Sequence, residues 1–489
     1  MTRTAARLEA ALVVAFVLLR GTATAQIPGA EYVARRDSLA ARIQNGVVIA
    51  LGGRTPISDF GPFFQLPAFR YLTGYEFADA GFVMVVRDGR GQSTLFVNRS
   101  TPRRSLYYGA EPDSTALATE LFLASRAAQD LSKFADSLAG SALPIYHLKD
   151  FEDADFSTAD SLTRGTQFVQ SLAARHPGLI LKDAHPILDQ LRARKTDAEL
   201  ALIRKAAAIS AAGHKELMRS IEPGMHEYDL QAIIEAAFRR GGAERPAYGS
   251  IVGSGPNGTQ LHYMKDRREI LPGEVVVIDA AAEYQGYAAD VTRTIPVNGV
   301  YSQEQRAIYQ LVRDAQAAAE RNSKTGMSIQ AAQDSSIDVR AAGLARLGLV
   351  ESATATFDPP WPADCQRKPR SCQQVMLFAI HGISHGLGLA VHDPLQAYGG
   401  EGTFKVGDAF TIEPGIYIHQ KLLDILPDTP RNRAFIGKIK DTVRRYANTG
   451  VRIEDDYVVT KEGLEWISQG VPREIDEIEA LTKKRSSVP

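Results

Sequence analysis

The feature that most constrains this chain is a set of carboxylates placed at the ends of apolar, strand-like runs in its second half. Asp279, Glu413 and Glu454 occupy such positions, Asp290 lies within a further apolar stretch, and His385 lies between the two pairs. A carboxylate is costly to bury without a partner, so these runs require cations nearby. Four carboxylates and one imidazole suit two hard or borderline divalent ions. Two metal ions bound close together can activate water for hydrolysis.

The first two carboxylates are predicted to approach each other through a hairpin. The pattern predicts a buried strand over Val275–Asp279, a turn over 284–286 and a returning strand over 287–295. The two arms of such a hairpin can bring Asp279 and Asp290 together. An ion pair with an arginine such as Arg293 is the alternative explanation for these carboxylates.

Three histidines lie within twelve positions, in a chain that has only ten. They are His381, His385 and His392. A single histidine is often a hydrogen-bonded core side chain, but three so close together indicate ligands or proton donors, because neutral imidazole serves both purposes near pH 7.

Length and composition limit the setting of this site. A chain of 489 residues exceeds the size at which a single core stops growing, so two domains are expected. Hydrophobic residues at 44% and charged residues at 23% are typical of a globular protein. A net charge of -1 gives no reason to expect a nucleic acid or an anionic membrane as partner.

Residues 1–25 have the pattern of a signal peptide. Arg3 and Arg7 precede an apolar run over 10–19, and Ala23-Thr24-Ala25 has the form of a cleavage site before Gln26. The pattern predicts export, to the periplasm or the medium, with no membrane span in the mature chain. An uncleaved anchor is the alternative, but the run has about half of the roughly 20 residues that a span requires.

The two cysteines, Cys365 and Cys372, lie in an irregular, proline-rich stretch. In an oxidising compartment they are expected to form a disulfide that closes a small loop. Two free thiols are the alternative.

Residues 26–182 read as an independent α/β domain and residues 183–489 as a second domain. In the first, Phe69–Gly74 indicates aromatic packing, with a substrate mouth as the alternative. Thr196 with Glu199 predicts a capping box at the start of a long helix in the second. The remaining predicted elements are helices over 32–43, 114–127, 159–175 and 227–240, and strands over 46–51, 80–86 and 94–97.

From about Arg192 to Thr460 the sequence resembles the pita-bread metallopeptidases, and within them the proline-directed branch of Xaa-Pro aminopeptidase (aminopeptidase P) and prolidase. The N-terminal half is similar to the creatinase-type domain of that branch, through Phe69–Gly74. The matching segments of the second half are Leu261-His262-Tyr263, Ile278-Asp279, Tyr287–Thr294, His381–Asp393, Ile412–Gly415 and Arg452–Asp455. The fold class implied is α/β (α+β), with a creatinase-like domain followed by a pita-bread catalytic domain.

The resemblance implies two divalent metal ions per chain, most often manganese, with zinc or cobalt as alternatives. It implies that Asp279 binds one ion, that His385 and Glu413 bind the other, and that Asp290 and Glu454 bridge the two.

The resemblance also implies a catalytic set of His262, His381, His392, Glu413 and Arg452. Glu413 is the expected base, His262 and His392 are expected to steady the tetrahedral intermediate and the leaving nitrogen, and His381 is expected at the substrate mouth. Arg452 is expected to brace the carboxylates. The implied partner is a proline-containing peptide, and a homodimer or higher homo-oligomer is expected by analogy.

Some positions depart from the expected pattern. Gly386 stands where many relatives carry a bulky residue, and Asp266 stands where Asn is usual. The stretches 351–374 and 420–448 read as insertions that modify the rim of the site or an oligomer contact.

The function expected is therefore that of an exported Xaa-Pro aminopeptidase with two metal ions. Prolidase, which cleaves Xaa-Pro dipeptides, is the alternative within enzymes. A catalytically inactive peptide-binding module is the alternative from another class.

Overall fold

The structure is a computed structural model that describes residues 26–56, 61–148, 164–395 and 402–483. The predicted signal peptide, residues 1–25, and the first five residues of the helix predicted over 159–175 lie outside these ranges. Of the helices in the described ranges, none is both long enough and apolar enough to cross a lipid bilayer.

A mixed six-stranded sheet forms the N-terminal domain, in the order β4-β3-β2-β1-β5-β6. β1 is apolar throughout and buried on both faces, as a central strand requires. It pairs antiparallel with β2 and parallel with β5. The strands are β1 (Gly46–Leu51), β2 (Gly81–Arg87), β3 (Arg90–Val97), β4 (Ala124–Ala127), β5 (Ile145–His147) and β6 (Leu181–Asp183).

Helices cover this sheet and lead to the second domain. Phe69, Tyr71 and Leu72 of α2 are buried in the core of the domain, so Phe69–Gly74 is a packing segment here. The helices are α1 (Gly29–Ile43), α2 (Pro67–Thr73), α3 (Pro102–Tyr108), α4 (Ser114–Glu120), α5 (Leu131–Ala139), α6 (Arg164–Arg175) and α7 (His185–Arg192). The domain division predicted between residues 182 and 183 falls inside β6, the outer strand of this sheet.

The helix predicted over 114–127 is wrong in its second half. α4 ends at Glu120, and residues 124–127 form β4, which pairs parallel with β3. Phe122 adopts a φ of 53°, a left-handed conformation that no α-helix continues through. Pairing with the sheet edge therefore outweighs the local helical pattern.

The second domain is built on two pairs of long helices and a set of short antiparallel strands. Thr196 and Glu199 form the predicted capping box at the start of α8. α8 packs against α9, and α10 packs against α11. The helices are α8 (Asp197–Ser220), α9 (Glu227–Arg240), α10 (Gln303–Arg321), α11 (Ile329–Leu347), α12 (Pro430–Arg445) and α13 (Ile475–Thr482).

In the described ranges the short strands form four small sheets, and the strands that contain or flank the predicted ligands are buried throughout. β9 lies between β8 and β12, β16 lies between β13 and β17, β14 pairs with β15, and β10 pairs with β7 and β11. The strands are β7 (Arg245–Pro246), β8 (Ile251–Ser254), β9 (Val275–Asp279), β10 (Ala282–Tyr284), β11 (Tyr287–Ala288), β12 (Thr292–Pro296), β13 (Ala409–Ile412), β14 (Gly415–Ile418), β15 (Thr449–Arg452), β16 (Asp455–Val459) and β17 (Leu464–Trp466).

The single returning strand predicted over 287–295 is divided in two. β11 pairs with β10, whereas β12 pairs with β9. Between them the N–H of Asp290 donates to the side-chain carboxylate of Asp456, at 3.1 and 3.2 Å from its two oxygens, instead of to a backbone carbonyl of a paired strand. This break turns Asp290 toward the predicted metal ligands.

The two predicted insertions pack on each other. Phe357 lies 6.5 Å from Phe435 of α12 between ring centroids, and Thr429 and Arg431 both donate to Asp358. Cys365 and Cys372 form the expected disulfide. The two stretches, distant in sequence, thus make one unit.

Candidate metal centre

The predicted ligands meet where the short strands end. Asp279 is the last residue of β9. Glu413 and Glu454 lie at the points where the pairing of β13 with β16 gives way to the pairing of β14 with β15. The antiparallel register brings the two glutamates together, although 41 residues separate them in the chain.

His385 lies at the centre of three of the carboxylates. Its Nε2 is 3.3 Å from Asp290 Oδ2, 3.5 Å from Glu413 Oε1 and 3.8 Å from Glu454 Oε1. The Nδ1 atom faces the carbonyl oxygen of Gly386 at 3.0 Å, so a proton on Nδ1 leaves Nε2 as the donor atom. Donor atoms of Asp290, His385 and Glu454 all lie within 4.8 Å of one another, a spacing that suits a shared cation.

Backbone contacts fix His385 independently of its ring. Its N–H donates to the Thr411 hydroxyl at 3.2 Å, and the Thr411 N–H donates back to its carbonyl at 3.0 Å. Glu454 is held in a similar way, because Thr292 donates its hydroxyl to Oε2 at 2.6 Å.

Asp279 joins the cluster through Tyr248. The phenol oxygen of Tyr248 lies 2.6 Å from Asp279 Oδ1 and 2.6 Å from Asp290 Oδ1. A phenol has one hydrogen and can donate it to one acceptor at a time. The second carboxylate therefore requires a proton or a cation, and a divalent cation at the cluster fits this requirement.

Burial makes the metal-free cluster electrostatically costly. Asp279, Asp290 and Glu454 are 7%, 5% and 2% exposed. Burial raises the pKa of Asp279 and of Glu454, and it raises the pKa of Glu413 to about 7. Oxygen-rich donors with raised pKa values, crowded around one imidazole, are the donor set that hard divalent ions bind.

The same carboxylates act on His385 in the opposite sense. Burial by itself would lower the pKa of His385, but its hydrogen bond to Asp290 and the charge of Glu413 outweigh burial and raise it to about 9. A proton on His385 would supply part of the positive charge that these carboxylates require.

Arg452 connects the cluster to its surroundings. Its guanidinium donates to Asp279 Oδ2 at 2.5 Å, to Tyr417 at 2.9 Å and to the carbonyl of Leu261 at 3.4 Å. Leu261 precedes His262, an exposed residue in the loop that follows β8. The predicted bracing arginine thus contacts both a ligand and the segment that carries a predicted catalytic histidine.

The other two predicted histidines also lie beside the cluster. His381 Nε2 is 2.8 Å from the Tyr417 hydroxyl, and its Nδ1 is 3.6 Å from Glu413 Oε2. Burial, followed by the charge of Arg452, lowers the pKa of His381 to about 3, so the ring is neutral. The ring centroid of His392 lies 4.2 Å from that of His385.

The sequence analysis missed Tyr248 and gave no role to Thr292 and Thr411. The two threonines adjoin ligands in strands that had been recognised, so their positions carried a usable signal. Tyr248 lies between Ala247 and Gly249 with no periodic pattern around it, and nothing in the sequence distinguishes it from a packing aromatic.

Comparisons with known proteins agree with this geometry. The model of metallopeptidase family M24 matches residues 201–461, and that of the aminopeptidase P N-terminal domain matches residues 32–143. The chain is 31% identical to the Xaa-Pro aminopeptidase of Escherichia coli (strain K12), over 93% of this chain and 98% of that protein.

Solved structures with this fold are also similar over nearly the whole chain. Proline aminopeptidase P II from Yersinia pestis is 31% identical, with a TM-score of 0.76 over 93% of this chain and 99% of that one. Zinc-substituted E. coli aminopeptidase P in complex with product is 28% identical, with a TM-score of 0.76 over 94% of this chain and 100% of the other.

Proposed function

Because this chain belongs to metallopeptidase family M24, we propose that the cluster around His385 holds the metal ions of an Xaa-Pro aminopeptidase. The enzyme releases the N-terminal residue of peptides whose second residue is proline. The observation that carries the proposal is the placement of Asp290, Glu413 and Glu454 within 3.3–3.8 Å of a single imidazole nitrogen.

The ligands are assigned by their positions in the cluster and by the family resemblance. Asp279 would hold one ion and His385 and Glu413 the second, with Asp290 and Glu454 shared between the two. Divalent ions bound there supply Lewis-acid polarisation of the scissile carbonyl and lower the pKa of water. We propose manganese as the ion in use, since four of the five donors are carboxylates, with zinc and cobalt as alternatives.

The protein's own residues handle protons and the peptide. Glu413, whose pKa burial raises to about 7, acts as the base. His381 remains neutral and contacts Glu413, while His262 and His392 are assigned, from the family resemblance, to the tetrahedral intermediate and the leaving nitrogen. Arg452 fixes the orientation of Asp279 through its 2.5 Å contact.

We further propose that the protein is exported, through the leader pattern of residues 1–25, with a mature chain that begins at Gln26. A homodimer or larger homo-oligomer is proposed by family analogy. N-terminal mass analysis of the secreted or periplasmic protein tests the first proposal, and light scattering of the purified mature chain tests the second.

The activity is tested with the mature chain from Gln26 onward, stripped of metal and then given manganese or zinc. Substrates are Xaa-Pro-Yaa peptides and Xaa-Pro dipeptides. Metal-dependent cleavage of the longer peptides, lost in Asp290→Ala and Glu413→Ala, is the expected result. Cleavage of dipeptides alone would indicate a prolidase, and bound metal without cleavage would indicate a peptide-binding module.

A further inference from the structure

One loop joins the metal ligand His385 to His392, and it lies between the two domains. Leu387 and Leu389 of this loop are 0% and 8% exposed and belong to a hydrophobic cluster that is built mostly from the N-terminal domain and is shared by both domains. At its ends, the rings of His385 and His392 contact each other on the side of the metal centre. The loop 386–393 therefore has one face in this shared cluster and the other at the catalytic site.

Asp393, directly after His392, is held by two buried cations from the interdomain connection. Its Oδ1 lies 2.6 Å from Arg192 Nη2, and its Oδ2 lies 2.8 Å from Lys195 Nζ. Lys195 also donates to the carbonyl of Pro394 at 3.0 Å. The three charged side chains are only 1–2% exposed. Burial would raise the pKa of Asp393, but Arg192 and Lys195 lower it, so the carboxylate is charged.

Backbone groups of the loop also form hydrogen bonds with Asp393. Asp393 Oδ1 accepts the N–H of Ala390 at 3.1 Å, and the Asp393 N–H donates to Gly386 at 2.9 Å. A Cβ at Gly388 would lie 2.5 Å from Asp393 Oδ2 and 2.9 Å from Lys195 Cε. Glycine at 388 is thus required for the loop to pack this closely over the ion pairs.

A buried charge triad is poor evidence of stability, because desolvation offsets much of the attraction. What such a triad supplies is a fixed geometry, since moving any member leaves a charge unpaired in the interior. The residue that this geometry fixes most directly is His392, which shares a peptide bond with Asp393.

We propose that Asp393, Arg192 and Lys195 are positioning residues that hold His392 at the reacting peptide. Through them, the connection between the domains sets the position of a catalytic side chain. His385 has its own anchor in Thr411, so loss of the triad displaces His392 and leaves metal binding intact. The inference rests on the proposed aminopeptidase activity.

The test is a double-mutant cycle on the metal-loaded mature protein. Asp393→Asn is expected to lower kcat about 10- to 100-fold, the usual range for loss of an orienting contact, with little change in KM or bound metal. In the His392→Ala background the same change is expected to alter kcat less than about twofold, because coupled residues are not additive.

The control is Arg204→Met, which breaks the ion pair of Arg204 with Glu465, 2.6 Å apart with side chains more than a third exposed, elsewhere on the catalytic domain. It is expected to leave kcat unchanged. If Asp393→Asn does not fold, Lys195→Met keeps the Arg192 pair and enters the same cycle. An equal loss of kcat from Asp393→Asn or Lys195→Met with and without His392 overturns the proposal.

A second readout needs no activity. In the metal-free protein, the His392 imidazole signal, assigned by its loss in His392→Ala, is expected to shift or broaden in Asp393→Asn and to remain unchanged in Arg204→Met. An unmoved signal in Asp393→Asn overturns the positioning role even if the protein cleaves no Xaa-Pro peptide. Absence of cleavage by the wild type, with the signal shifted, overturns the proposed function alone.

Discussion

At the scale of single residues, the Tyr248 hydroxyl is the hydrogen-bond donor that Asp279 and Asp290 share. Replacing it with phenylalanine removes one hydroxyl and keeps the ring, so the fold is expected to persist. Without the donor shared by Asp279 and Asp290, metal affinity is expected to fall by about 10- to 100-fold. Competition with a metal chelator measures the affinity of Tyr248→Phe.

The matched control for this change is Tyr309→Phe. Tyr309 is fully buried, whereas Tyr248 is partly buried, and the Tyr309 hydroxyl donates to the carbonyl of Arg473 at 2.9 Å instead of to a ligand. It is expected to retain wild-type metal affinity. Equal affinities in the two variants would mean that the tyrosine contact contributes nothing to the metal site.

Two of the ligands, Glu413 and His385, also contribute to the pH dependence of metal binding. A ligand must be an ionised carboxylate or a neutral imidazole, yet in the metal-free protein burial raises the pKa of Glu413 to about 7. The pKa of His385 is raised to about 9, because Asp290 and Glu413 outweigh burial. At low pH both Glu413 and His385 carry a proton, so protons compete with the metal for these two ligands.

Metal affinity is therefore expected to rise from about pH 6 to about pH 9, by up to about tenfold per pH unit for each proton released. Chelator competition at several pH values, with proton release recorded in weak buffer, measures this slope. A constant affinity and no proton release would contradict the protonation states described here.

At this scale the predicted carboxylates come together in one cluster, for a physical reason. Asp279, Glu413 and Glu454 end apolar runs, and a buried carboxylate needs a cation whatever the fold. Tyr248 and Asp456 escaped prediction because their roles arise from tertiary contacts, with no local pattern to mark them. Asp456 in particular accepts the N–H of Asp290, 166 residues away in the chain.

At the scale of elements, prediction succeeded where local and tertiary preferences agree. β1, with six apolar residues, and α8, with its capping box, formed as expected. Prediction failed where tertiary contacts overrode the local pattern. Residues 124–127 pair with β3 at the sheet edge instead of extending a helix. The strand predicted over 287–295 is interrupted after residue 288, where the N–H of Asp290 donates to Asp456.

The unit formed by the two insertions yields a prediction about stability. Phe435 of α12 is fully buried against Phe357. Phe435→Ala is expected to cost about 3 to 5 kcal/mol of unfolding free energy, because it leaves a cavity that the surroundings fill only in part. Urea unfolding measures the loss.

Ile425→Ala is the control within the same insertion, since Ile425 is 52% exposed. It is expected to change stability by less than about 0.5 kcal/mol. If Phe435→Ala changed unfolding as little as this control, the insertion unit would not be part of the cooperative core.

At the scale of the whole molecule, the two domains share structure that the sequence did not reveal. Arg35 of α1 lies 3.2 Å from Glu199 of α8, and Arg192 lies 2.6 Å from Asp393. These pairs are 164 and 201 residues apart. Charged residues so far apart carry no mutual periodicity, so single-sequence reasoning could not place one half of the chain against the other.

This shared interface predicts that the catalytic domain does not function alone. Leu202, Tyr287, Leu387 and Leu389 are 0–8% exposed and lie in the hydrophobic cluster shared by both domains. Exposing each costs about 1.5 to 3 kcal/mol, a sum comparable with the whole stability of a typical protein, about 5 to 15 kcal/mol. A fragment of residues 184–489 is therefore expected to be poorly folded and inactive with metal present.

Circular dichroism and Xaa-Pro-Yaa cleavage by this fragment, compared with the chain 26–489, measure the effect. The fragment retains Arg192 and Lys195, so its failure reports on the apolar interface and not on their ion pairs with Asp393. Restoration of folding by added residues 26–183, which keep β6 whole, would support the shared core, because the missing apolar partners would then be supplied. A fragment that folds and cleaves peptides unaided would show that the N-terminal domain is dispensable for the catalytic fold.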